Sequence, residues 1–429
     1  MKRSDYLGWT LIVTACACGP TSPGQADDDA GASEASEGTT AAPDPTTGDD
    51  PAPTTGPESA CPEGQPPLAL LWGGFTAFPG DFAWVSIEGP ILRLPDGRIA
   101  LAANVGSHPP ESAAAPGLVY LSPEGEPLGI ETGAFSDAWT FFYDLQVGPG
   151  GETLIVGAFE EGGQQTPMLL RFAADGPFLD QVPLQVPVAH GAGMVVTDVP
   201  VVVGYTHGVG ASVARINVAT GGSLSSMGLT GPDEDLLVKH IAAGPEGDLV
   251  IAGFGDPGFQ IKTRLKLWHL GGDGTLQWSR EINDEVRDEV TALARTDDGQ
   301  ILVLSASWAT ERVKLLALDV ADGATRWSLI VAEHDDQLKN PWAEEIHLDP
   351  GGLSVPILRT GGHHPWEPTS SFSAALHRIS LQGEALEVVQ LVGPTHTGFA
   401  AARTVRGVCG ELVLVEPTES EPWIGAFAP

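Results

Sequence analysis

One short pattern returns along most of this 429-residue chain and limits what it can fold into: an apolar strand, a tight turn of Pro, Asp and Gly, and a second apolar strand. Its clearest copy is Ile91-Leu92-Arg93-Leu94-Pro95-Asp96-Gly97-Arg98-Ile99-Ala100-Leu101. The turn recurs at Gly148-Pro149-Gly150-Gly151, Gly244-Pro245-Glu246-Gly247, Thr296-Asp297-Asp298-Gly299 and Asp349-Pro350-Gly351-Gly352. Weaker copies stand at Thr197-Asp198-Val199-Pro200 and Gly407-Val408-Cys409-Gly410, which makes seven, each roughly fifty residues from the next. A second hairpin follows after a variable loop, as in Leu267-Trp268-His269-Leu270 to Leu276-Gln277-Trp278 and Leu316-Ala317-Leu318-Asp319 to Trp327. A unit this small cannot bury its apolar faces alone, so a fixed period means that neighbours stack. Two hairpins per period supply four strands, and seven such units predict an all-β, seven-bladed β-propeller.

The last unit is short of one strand. Glu411-Leu412-Val413-Leu414-Val415 and Trp423-Ile424-Gly425-Ala426-Phe427 make its second and third strands, and the sequence ends at Pro429. Leu68-Ala69-Leu70-Leu71-Trp72 precedes the first unit and is spare, so it is expected as the outermost strand of the seventh blade, closing the ring from both ends. That closure brings Cys61 towards Cys409. Three strand spacings are about 14 Å, six extended residues reach about 20 Å, and an exported compartment permits a disulfide between the two.

Composition agrees with this architecture. Gly 54 and Pro 36 make a turn-rich chain poor in helix formers. No apolar run approaches the eighteen or so residues of a membrane helix, which excludes a polytopic membrane protein. The net charge is -35. A surface that acidic repels phosphate backbones, so nucleic acid is not expected as a partner.

Three segments follow: a leader over 1–15, an acidic linker over 16–66 and the propeller over 67–429. The linker is rich in Thr, Pro, Gly and Asp and has almost nothing apolar to bury, so it is expected to be disordered. The leader has Lys2 and Arg3 ahead of a short apolar stretch, as in a signal peptide. Val13-Thr14-Ala15-Cys16 resembles the bacterial lipobox, which implies cleavage before Cys16 and acylation of its thiol and new amino group, palmitate among the acyl chains. Ala17 at the following position implies the outer membrane or cell surface. A plain signal peptide cut after Ala17 is the alternative.

The unit from Ala317-Leu318-Asp319 through Gly323 to Trp327 resembles the repeat of the quinoprotein-like (PQQ-type) propeller superfamily. The Pro95-Asp96-Gly97 hairpins are similar to bacterial cell-surface propeller repeats of unknown function. The likeness spans about residues 82–429 and implies fold, not activity. PQQ is not expected, because the family's stacking and Ca²⁺ ligands map onto no residues here.

With the short turns on one face, the longer loops gather on the other around a central funnel. Candidate binding residues there are Trp139, Tyr143, Phe254, Trp308, His334, Asp335, Trp342, His363, His364, Trp366 and Glu367. Aromatics mixed with carboxylates and histidines suit a glycan or peptide. His363-His364 lacks a third metal ligand. His334-Asp335-Asp336 and Glu344-Glu345 near His347 are the places Ca²⁺ would seek, though no Asp-x-Asp-x-Asp-Gly loop is present. Neither a Gly-x-Ser-x-Gly elbow nor a Walker loop occurs. The expectation is an envelope-anchored, noncatalytic binding or interaction module for a glycan, a peptide or an envelope protein. The alternative is an envelope glycan hydrolase or lyase using funnel carboxylates such as Asp335 or Glu367.

Overall fold

The computed structural model describes residues 70–75, 82, 84–106, 113–136, 138–161, 164–186, 190–206, 209–231, 236–255, 264–282, 288–307, 310–334, 341–349, 351–360, 372–391, 403–406, 411–416 and 423–427. All of them belong to the compact unit Ser59–Pro429. The leader, the linker, Cys16, Cys61 and Cys409 lie outside the described residues.

Strand β1 is Leu70–Phe75. The first blade holds β2 (Trp84–Arg93), β3 (Ile99–Gly106), β4 (Ala114–Leu121) and β5 (Pro127–Thr132). The second holds β6 (Trp139–Val147), β7 (Thr153–Glu161), β8 (Gln164–Phe172) and β9 (Phe178–Pro183). The third holds β10 (His190–Val196), β11 (Pro200–Thr206), β12 (Gly210–Ile216) and β13 (Ser223–Gly228). The fourth holds β14 (Leu236–Ala243), β15 (Leu249–Gly255), β16 (Arg264–Leu270) and β17 (Leu276–Ile282). The fifth holds β18 (Asp288–Arg295), β19 (Gln300–Ser307), β20 (Arg312–Asp319) and β21 (Thr325–Glu333). In the sixth, β22 (Pro341–Trp342) and β23 (His347–Asp349) both pair with β24 (Gly352–Thr360), which continues to β25 (Phe372–Ile379) and β26 (Ala385–Leu391). The seventh runs β27 (Arg403–Arg406), β28 (Leu412–Glu416), β29 (Trp423–Phe427) and then β1.

The chain is therefore a seven-bladed β-propeller closed by its N-terminal strand, as the repeat predicts. β1 lies antiparallel to β29, with Leu70 opposite Phe427 and Phe75 opposite Trp423. Neighbouring positions in sequence thus close the hairpins, and the most distant positions close the ring.

Apolar side chains collect between blades. Leu154, Val156 and Leu169 of the second blade meet Met194, Val202 and Ile216 of the third. Leu302, Leu315 and Val331 of the fifth meet Val355 and Ile357 of the sixth. Ile87, Leu101 and Val119 of the first meet Val413, Val415 and Ile424 of the seventh, which completes the circle. Sheets covered on both faces need apolar residues at every position rather than alternately, and β3, β4 and β19 are buried along their full length. A fully buried Leu, Val or Ile contributes about 1.5–3 kcal/mol. The fourth strands are outermost: β9 alternates between half-buried and exposed positions, and most of β13 is exposed.

Tryptophans fasten successive blades at the turn face. Trp278 Nε1 of β17 donates to the carbonyl of Val320 at 2.8 Å, and its ring lies on Gly323. Trp327 Nε1 of β21 donates to Leu381 O at 2.9 Å and covers Gly383, one blade further on. Gly383 has φ 84 and leaves only 2.6 Å between an added Cβ and the Trp327 ring. The Gly-to-Trp spacing that resembles the quinoprotein-like repeat is thus a docking contact: the turn glycine of one blade receives the Trp of the blade before it.

Candidate functional site

The first strand of each blade faces the axis, and there the regular ladder breaks. β6 shifts register between Phe142 and Asp144, β14 between Val238 and His240, and β18 between Val290 and Ala292. Each shift inserts one residue, namely Tyr143, Lys239 or Thr291. A bulge of this kind re-aims side chains, and all three line a central cavity of about 850 Å³. In the sixth blade the break is wider: residues 343–346 separate β22 from β23, and Glu344, Glu345 and Ile346 join the lining. Phe141, Tyr205, Asp144, His240, Glu289, His347 and Thr404 complete its chemically distinctive wall.

Most polar groups on this wall are held by the adjacent blade. The Asp144 carboxylate accepts the backbone N–H of Met194 in β10 at 2.8 Å, that of Leu145 at 2.7 Å and the Gln146 amide at 3.2 Å. Burial pushes this carboxyl up to about 6, and those three hydrogen bonds only partly offset the rise. His240 Nε2 lies 3.1 Å from Val290 O, so this nitrogen carries the proton. Lys239 Nζ is 2.6 Å from Glu289 Oε1 and 5.3 Å from the Phe254 ring centroid. The Glu345 carboxylate accepts the Thr404 N–H at 2.9 Å and also the Thr404 hydroxyl, while His347 Nε2 lies 2.7 Å from Thr404 Oγ1. Blades two and three, four and five, and six and seven are thus stapled at the same level of the ring.

The Tyr143 hydroxyl donates to Gln165 Oε1 at 3.3 Å, and Gln165 Nε2 donates to Glu160 Oε2 at 3.1 Å. Burial first, and the Glu160 charge second, raise the Tyr143 hydroxyl above the usual phenol value. Among the described residues no group of three or more His, Cys, Asp or Glu converges as metal ligands would.

The expected face is only partly represented. Tyr143 lines the cavity. Phe254 is a buried residue of β15 beneath Lys239, not a loop residue. Trp139 begins β6, half-buried and opposite Glu160. The backbone of Trp342 pairs with Leu358. His334 is paired with Glu311 at the end of β21 and does not line the cavity. Trp308, Asp335, His363, His364, Trp366 and Glu367 lie outside the described residues. Sequence reading placed binding on the loops and so missed Asp144, Lys239, His240 and Glu289. Their signal was a charge inside an otherwise apolar first strand, as in Leu237-Val238-Lys239-His240-Ile241.

The fold and the axial cavity define a β-propeller of the seven-bladed class. No protein-family model matches the chain, and no curated protein matches its sequence. Among solved structures, prolyl oligopeptidase B from Galerina marginata bound to a 35mer substrate is similar at 12% identity and TM-score 0.47, over 78% of this chain and 47% of that one. Puromycin hydrolase is similar at 16% identity and TM-score 0.49, over 80% and 50%. A protein of unknown function from Bacteroides caccae is similar at 13% identity and TM-score 0.33, over 72% and 84%. The chain spans about half the length of the first two. These likenesses carry no activity across.

Proposed function

We propose that this protein is a noncatalytic binding module of the bacterial cell envelope, which holds its propeller at the outer membrane or cell surface through an acylated Cys16 and the acidic linker. The observation that carries the binding reading is the axial cavity of about 850 Å³, within the range of ligand sites. The carboxylates Asp144, Glu289 and Glu345 on its wall are committed to neighbouring blades, which suits a rigid receptacle better than a pair of catalytic acids. The anchor rests on the lipobox-like Val13-Thr14-Ala15-Cys16, and a Cys16→Ser chain that still incorporates palmitate would refute it. Glycan and peptide arrays probed with the chain, with and without Ca²⁺, are expected to return a retained ligand that competes for the cavity and is released unchanged.

The glycan hydrolase or lyase reading draws on one feature of the same wall, the raised Asp144 carboxyl, because a proton held near neutrality suits a general acid. Cleavage products from any bound glycan would establish that reading and remove the noncatalytic one.

A further inference from the structure

We propose that the axial cavity takes an uncharged oligosaccharide, one sugar ring of which stacks on Phe141; this rests on the reading of the ring as a binding module and names its ligand class. Phe141, Phe142 and Tyr143 follow one another on β6 and all line the cavity, as does Tyr205 of β11. A regular strand turns alternate residues to opposite faces, and the β6 bulge relaxes that alternation. Among the described residues, the Phe and Tyr surface of the cavity is confined to blades two and three. The Tyr143 hydroxyl is tied to Gln165 and Tyr205 is buried, whereas Phe141 is 37% exposed. A phenylalanine left open on a cavity wall offers a flat apolar face, and the C–H face of a sugar ring is its complement.

The charges on the wall are compensated by the wall itself. Lys239 pairs with Glu289, Glu345 receives the N–H and the hydroxyl of Thr404, and the Asp144 carboxylate holds three donors. Glu344 is engaged as well. A charged ligand would give up its hydration here without an unpaired opposite charge to replace it. Hydroxyls fit the same groups, because an ionised carboxylate offers about four sites to hydrogen-bond donors and a paired one keeps some of them.

The strand edges favour a glycan over a peptide. A peptide recognised through its backbone adds to a regular free edge. The axis-facing strands break in blade one between Ile87 and Ile91, in blade three between Gly191 and Gly193, and in blades two, four and five at the bulges already described. In blade six the break falls between β22 and β23, so among the described residues only β27 is unbroken, and it is 4 residues long. A ligand held by stacking and by its hydroxyls needs no such edge.

The full chain is titrated calorimetrically with hexasaccharides of α- and β-linked glucose, of mannose and of N-acetylglucosamine. Hexagalacturonate is the acidic counterpart, hexaglucosamine the basic one, and a hexapeptide library the peptide arm. The expected result is retention of an uncharged hexasaccharide with an affinity that added salt leaves nearly unchanged, since no ion pair forms. Phe141→Ala is expected to weaken it roughly tenfold, Phe141→Tyr to retain it, and Phe135→Ala, which removes an exposed ring away from the cavity, to change nothing. Thermal unfolding establishes that each variant is folded. Should Phe141→Ala not fold, Phe141→Leu, which keeps apolar bulk and loses the flat ring, is expected to weaken binding in its place. A neutral hexasaccharide bound equally by the parent and Phe141→Leu would overturn the stacking assignment. Binding confined to hexagalacturonate, hexaglucosamine or a peptide would refute the neutral glycan and leave the binding module standing, whereas retention of no probe of any class would remove both.

Discussion

At the scale of single residues, two carboxylates show how one ring sets opposite proton affinities. Asp144 is desolvated and raised to about 6, so the folded chain holds its proton more tightly than the unfolded chain does. Its contribution to stability is full below the ordinary carboxylate range and is lost as pH rises through about 6, a difference of roughly 3 kcal/mol at most. Asp248 is the reverse case. Burial would raise it, but hydrogen bonds from His269 and Arg295, together with their charges, outweigh burial and hold it below the usual range. Its contribution is present above that range and lost on acidification below it. Urea unfolding between pH 4 and 7 is therefore expected to show a stability loss in the parent chain that is missing in Asp144→Asn. Asp248→Asn should be destabilised at neutral pH and converge on the parent as pH falls. Parallel curves for Asp144→Asn and parent would refute the account of Asp144.

At the scale of elements, the turn and the strand beside it act as a lock between blades. Gly383 and Gly274 both have positive φ, at 84 and 82, yet an added Cβ at Gly274 meets nothing within 4 Å whereas at Gly383 it meets Trp327. Gly274→Ala is expected to cost about 1 kcal/mol for the backbone alone, and Gly383→Ala about 1–3 kcal/mol more from the displaced ring. Trp327→Phe, which loses the bond to Leu381 O, should cost about 1 kcal/mol beyond its smaller packing. Denaturant midpoints of the three variants measure this, and equal losses for the two glycines would show that the Trp contact contributes nothing. Of the turns that make this lock, Asp322-Gly323 was legible as an Asp-Gly turn, because positive φ demands particular residues, whereas Gly383 follows Gln382. Which Trp reaches which turn was not legible, since the partner stands about fifty residues away and only blade packing selects it.

At the scale of the whole molecule, every core is shared between two blades, so stability belongs to the circle. Removing the chain through Phe75 leaves β29 with an open edge and is expected to lower the unfolding midpoint of the entire ring, not of one blade. The register places Leu70 and Leu412 both level with Phe427, and in sequence Cys61 stands nine residues before Leu70 and Cys409 three before Leu412. A disulfide between them would stabilise by roughly 4–5 kcal/mol in the chain-entropy account. Reducing and non-reducing denaturation of the same chain tests it, and identical midpoints would count against the bond.

The period of the hairpins determined the class, the number of blades and the strand that closes the ring, because strand pairing and turn dihedrals are local demands that leave their mark on consecutive residues. The cavity wall was decided by tertiary structure. The bulges set Tyr143 and Lys239 into the wall of a cavity that several blades build together, and Asp144 acquires its raised proton affinity from burial, against the hydrogen bonds of Met194, Leu145 and Gln146, which lower it. No stretch of sequence carries that information, since the groups concerned meet only when the ring has closed.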